Sequence, residues 1–208
     1  MFGTQHLGVF VISGILLNMT PGQDTLYIVG RSVSQGRKAG ILSVMGIVSG
    51  AVVHTLFAAF GLSAILATSA RAFAIVKLLG AGYLIYLGLQ MLLARQPTGG
   101  EAAVFEQQSS MSIYRAGLLT NLLNPKVALF FMAFLPQFVA PTSDSQVLSF
   151  LFLGALFIFN GTLWCLILVS IASAMSRRLR QHRSSGMILK RATGAVFVGL
   201  GVRLATSE

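Results

Sequence analysis

Apolar stretches long enough to cross a bilayer recur along this chain and leave few folds open to it. A helix needs about 20 mostly apolar residues to span the hydrocarbon core, and candidates lie at about 7–30, 40–62, 72–94, 116–137, 147–173 and 189–206. The last has the shortest apolar centre, flanked by Lys190, Arg191 and Arg203, whose long side chains can reach an interface. Hydrophobic residues make up 55% of the chain and charged residues 10%, against about 25% charged in a soluble domain. Too few polar groups remain to cover a water-facing surface. The expectation is an all-α membrane protein: six transmembrane helices in a single domain, 1–208. The first stretch has no positive leader and runs on into Asn18, Pro21 and Asp24, so it reads as a mature helix and not a cleavable signal. The lone Cys165, inside an apolar run, excludes a disulfide framework and reads as packing.

The net charge of +10 does not indicate a nucleic-acid partner, because the basic residues fall in short runs between apolar spans. Arg31, Arg37 and Lys38 follow the first span; Arg95 and Arg115 flank the third connection; Arg177, Arg178, Arg180, Arg183, Lys190 and Arg191 follow the fifth. The opposite side holds only Arg71 and Arg203, so eleven basic residues face two. The positive-inside rule places the first, third and fifth connections in the cytoplasm against anionic lipid, with both termini outside. The long polar connection at 95–113, with Pro97, Gly99, Gly100, Ser109 and Ser110, reads as a cytoplasmic linker. It separates half one, 1–94, from half two, 114–208. Three spans per half force the second half into the inverted orientation, an arrangement in which transporters place their site at the repeat interface.

Two prolines interrupt corresponding spans. Leu16-Leu17-Asn18-Met19-Thr20-Pro21 lies in the first and Leu122-Leu123-Asn124-Pro125 in the fourth, with the prolines 104 residues apart. A proline removes one helical hydrogen bond, and within lipid the freed carbonyl must be satisfied by protein or by water in a cavity. The first and fourth helices are therefore expected to be broken. Asn18, Pro21, Gly22, Gln23 and Asp24 around one break, and Asn121, Asn124, Pro125 and Lys126 around the other, form the candidate substrate- and proton-binding set. Asp24 is the one acidic residue inside an apolar span, expected about six residues, or roughly 9 Å, from the cytoplasmic end of its helix. A charge at a helix centre costs about 2.5–3.5 kcal/mol on insertion scales, so it should face the bundle interior. Lys126, near the midplane, can pair with Asp24 or with a substrate carboxylate. Lys77 is expected to snorkel. His54, beside the smooth face of Gly46, Gly50 and Ala58, is expected to make an interhelical hydrogen bond. Packing and interhelical bonding account for Asn160 and Trp164.

Nothing in the chain resembles a nucleotide-binding loop, a metal-ligand cluster or a catalytic constellation, so no enzyme activity, metal or cofactor is expected. The stretch Asn18-Met19-Thr20-Pro21-Gly22-Gln23-Asp24-Thr25-Leu26-Tyr27 with Gly36-Arg37-Lys38-Ala39-Gly40, the run from Lys77 to Gly88, Asn121-Leu122-Leu123-Asn124-Pro125-Lys126 and Leu135-Pro136-Gln137-Phe138 resemble the LysE/RhtB family of lysine and homoserine/threonine exporters. Gln23 departs from it, standing where the family usually has a second proline. The resemblance implies proton-driven export of amino acids across a bacterial inner membrane, often by a homo-oligomer, with homoserine, threonine or another small neutral amino acid favoured. A passive amino-acid or metabolite channel would use the same cavity without coupling.

Overall fold

The computed structural model describes residues 3–62, 107–140, 143 and 145–174, together with single positions 75, 78, 82, 85, 86 and 89. Every regular element among them is helical, the sole exception being an isolated antiparallel bridge between Thr4 and Val139. Helix α1 spans Leu7–Met19 and α2 Gln23–Leu56, the latter running on through a wide π-type turn, Phe57–Leu62. After the undescribed interval come α3, Ser110–Leu122, and α4, Pro125–Leu129, which continues through Phe130–Phe134 into a 3-10 turn at Leu135–Phe138. Helix α5, Gln146–Ala174, closes the described chain. Gln23–Leu62 and Gln146–Ala174 are each long and apolar enough to cross a membrane, and the bent pair Ser110–Leu122 and Pro125–Phe138 can form a third span. Phe57 at 68% exposure and Leu123 at 73% belong to an apolar exterior suited to acyl chains.

Both breaks have one cause. The residue before a proline is pushed out of the helical region. Thr20, before Pro21, is extended at φ −68° and ψ 122°, and Asn124, before Pro125, at φ −77° and ψ 106°. Each break follows a helix of 13 residues. Past the second, the Asn124 side chain accepts a 3.1 Å hydrogen bond from the Lys126 N–H, and Pro125 sits in the first turn, where its missing N–H costs nothing. The two fourth-span segments meet at 47°.

A third discontinuity lies at Gly36, with φ 81° and ψ −176°, a conformation essentially confined to glycine. Here α2 folds back on itself. Tyr27 and Ile28 of the arm 23–35 pack on Val44 and Ile47 of the arm 37–56, and a Cβ on Gly40 would collide with the Ser32 hydroxyl. The expected first connection, 31–38, is therefore helical up to this corner. Arg31 does not end the helix: although 3% exposed, it donates to Gln35 Oε1 at 2.7 Å and Gln108 Oε1 at 2.6 Å and lies over the Tyr27 ring. Asp24 is correspondingly deeper than the expected 9 Å, twelve residues or about 18 Å from the corner.

The two broken spans run antiparallel, side by side. Thr4 bridges Val139, Lys126 reaches Leu17 and Thr20, Asn121 meets Asp24, the Tyr27 hydroxyl donates to the Ile113 carbonyl, and Arg31 and Gln35 bond Gln108. Arm 37–56 packs on α3 through glycines: a Cβ on Gly46 would strike the Tyr114 carbonyl, and one on Gly117 would lie 2.8 Å from the Ser43 carbonyl oxygen. Two apolar clusters result. The larger gathers Phe10, Phe130, Phe131, Phe134, Phe138, Phe150 and Phe157 towards the N-terminal end, and the smaller gathers Tyr27, Ile28, Val44, Ile47 and Val169 towards Gly36.

The expected spans 40–62 and 147–173 coincide closely with the arm beyond Gly36 and with α5. The fourth begins earlier than the expected 116, because Ser109 caps α3 by accepting from the Ser112 N–H, so the expected linker 95–113 ends in helix. Of the third span, 72–94, the six single positions are helical. The rest of it, Lys77 and the span 189–206 lie outside the described residues.

Candidate functional site

Continued helices would hydrogen-bond the carbonyl of Leu17 to residue 21 and that of Asn121 to residue 125. Both are prolines, which have no N–H to give. Each freed carbonyl finds a side chain from another element. Lys126 Nζ donates to Leu17 O at 2.8 Å and to Thr20 O at 3.0 Å, placing its positive charge at the carbonyl end of α1. His54 Nε2 lies 3.2 Å from Asn121 O and, since a carbonyl only accepts, carries the proton; its ring stacks on Phe131. Each break is thus stapled from across the bundle, Lys126 itself coming from just beyond the opposite break.

Between the breaks, and between the two apolar clusters, lies a cavity offering about 50 Å³ to water centres, several times the ~10–15 Å³ that one water needs. Asn18, Gly22, Asp24, Thr25, Asn121, Asn124 and Lys126 give it polar walls, and α5 closes it with Phe157, Ile158, Gly161, Thr162, Trp164 and Cys165. Asp24 is at the N-terminus of its helix, where a carboxylate is favoured by the dipole. Its Oδ2 accepts a 2.8 Å hydrogen bond from Asn121 Nδ2. Its Oδ1, and with it Asn18 Nδ2, Asn121 Oδ1 and Trp164 Nε1, is buried without a partner among the described residues. An unmet buried polar group costs about 1–3 kcal/mol, and these four belong to side chains lining one cavity.

The expected residues divide in two. Asn18, Gly22, Asp24, Asn121, Asn124 and Lys126 line the cavity. Pro21 and Pro125 are exposed and shape the breaks from behind; Gln23 is exposed too and borders a shallow outer groove with Leu26, Tyr27, Leu119, Thr120 and Leu123. The Lys126 ammonium is committed to carbonyls, and the hydrogen bond to Asp24 comes from Asn121 instead. His54 makes the interhelical bond expected of it, and a Cβ on Gly50 would come within 2.7 Å of Asn121 Oδ1. Trp164, expected only to pack or bond between helices, lines the cavity. Its helix is apolar on every side, so no amphipathic stripe marks the cavity face; the available signal was Gly161, one turn away and against Asn18.

Two broken helices side by side around a polar, charged pocket, inside an apolar shell, fit a membrane translocator. The family of LysE type translocators matches residues 15–208, and the chain belongs to it. A leucine efflux protein of Salmonella typhimurium is 28% identical over 207 residues, covering 100% of this chain and 98% of its own. An uncharacterised membrane protein of Pseudomonas aeruginosa is 34% identical over 212 residues, with 99% and 97% covered, and one of Vibrio cholerae 29% over 201, with 96% of each. No solved structure matches.

Proposed function

We propose that this protein exports neutral amino acids across a bacterial inner membrane by exchange for protons, with its termini outside. The observation that carries the reading is Asp24 Oδ1, buried beside the cavity between the two breaks and without a partner among the described residues. A substrate ammonium or a proton satisfies that oxygen, but both cannot occupy it together, and this exclusion is the basis of antiport. Asp24 is the only carboxylate on the described cavity wall, so a basic amino acid would find no anion for its second charge. Ile47, Val48, Ala51 and Val127 offer an apolar side chain a matching surface. The leucine efflux relatives support this substrate class. The cavity holds only a few waters, so a whole amino acid requires its walls to part, and the breaks supply the hinges. The energy is the membrane potential, about 2.3 kcal/mol per charge per 100 mV, plus the pH gradient.

The test begins with growth of an overexpressing strain on toxic amino-acid analogues, followed by efflux from proteoliposomes. With an imposed pH gradient the wild type concentrates its substrate and Asp24→Asn does not. A wild-type rate in Asp24→Asn would exclude the carboxylate as carrier. Substrate that equilibrates but never accumulates would make the protein a passive channel.

A further inference from the structure

Charge alone nominates Lys126 as the partner of a substrate carboxylate, but the geometry points elsewhere: we infer that Trp164, with Asn18, binds the carboxylate of the amino acid whose amine rests on Asp24. This rests on the exporter reading above. Two of the three Lys126 N–H groups hold the end of α1 through Leu17 O and Thr20 O, so moving the ammonium to a ligand would release the broken helix. The cavity's buried donors without partners are Asn18 Nδ2 and Trp164 Nε1 among the described residues. An indole N–H can only donate, so an acceptor entering the cavity would satisfy it. Gly161 makes the pairing feasible. It lies one turn before Trp164 on α5, and its Cβ position is 3.2 Å from Asn18 Nδ2, so a larger residue would crowd the amide. Two neutral donors and one carboxylate oxygen, each without a partner among the described residues, belong to side chains lining the same cavity, a set complementary to a zwitterion. Neutral donors also bind a carboxylate less tightly than an ammonium does, and a carrier must release its cargo.

Trp164 is the only tryptophan in the chain, so its fluorescence reports on this site directly. In detergent-solubilised protein, leucine and threonine should change the emission saturably, and isoamylamine and 1-amino-2-propanol, the same molecules without the carboxylate, should do so only at higher concentration. In Trp164→Phe, which keeps an aromatic ring and deletes the N–H, binding of radiolabelled leucine or threonine should weaken about tenfold or more, while competition by the two amines stays as in wild type. Equal affinity of Trp164→Phe and wild type for the acids would overturn the assignment. So would an equal loss for the acids and the amines, which would mark the ring as packing. A wild-type protein that neither binds nor exports any amino acid would instead remove the exporter reading itself.

Discussion

Leu17 and Asn121 are apolar and amide residues of no obvious distinction, yet their backbone oxygens decide what surrounds them. Each stands four positions before a proline, and the need to satisfy it draws Lys126 and His54 into the bundle. That a freed carbonyl would exist was legible from the prolines alone. Which donor would meet it was not, because the partners come from helices whose rotation no local pattern fixes. The consequence is measurable. Lys126→Met deprives two carbonyls of a charged donor, at about 1.5–3 kcal/mol per hydrogen bond, and should melt several degrees below wild type in detergent as well as abolish efflux. His54→Leu removes one bond against two, each proline-freed carbonyl keeping an N–H from three residues on (Thr20 to Leu17 O at 3.2 Å, Asn124 to Asn121 O at 3.0 Å), so its loss of stability should be the smaller. The reverse order in a thermal melt would mean that the carbonyls are not what the two side chains are there to hold.

At the level of the helix, the boundaries that followed from proline and hydrophobicity were readable, and the one that follows from glycine was not. Gly36 sits in a polar run that reads equally well as a loop; only the closure of Tyr27 and Ile28 on Val44 and Ile47 shows a sharp corner between two helical arms. An alanine there must adopt a backbone conformation reserved for glycine, although a Cβ would meet no neighbour within 4 Å. Gly36→Ala should therefore lower thermal stability by roughly 1–3 kcal/mol, while Gly61→Ala, with equal space and an ordinary backbone, should not; parity of the two in a melting assay would contradict the strain argument. The prolines make a separate prediction. Pro21→Ala and Pro125→Ala restore the missing donors and should straighten the breaks, reducing efflux more than folding. Normal transport by both variants would mean that the breaks are not the moving parts.

For the molecule as a whole, the antiparallel run of contacts from Thr4–Val139 to Arg31–Gln108 sets two ends around one cavity, each with its own closure. The expected inverted three-span halves include third and sixth spans that lie, but for six positions of the third, outside the described residues. If the N-terminal end must open to release cargo, a disulfide in Thr4→Cys/Val139→Cys should stop efflux and dithiothreitol should restore it, with neither single variant affected by oxidant. Undiminished efflux in the oxidised double variant would leave that end out of the cycle. The two closures are chemically unlike. Beyond Phe157 the cavity is shut by tilted and edge-on phenyl rings, and toward Gly36 by a smaller cluster capped with arginine and glutamine hydrogen bonds. Parting the rings wets apolar surface and raises the heat capacity, whereas exchanging amide and guanidinium partners for water barely does. Warming should therefore act unequally on the two half-cycles, with a curved Arrhenius plot whenever opening past the rings limits turnover and a nearly straight one when the opposite gate does.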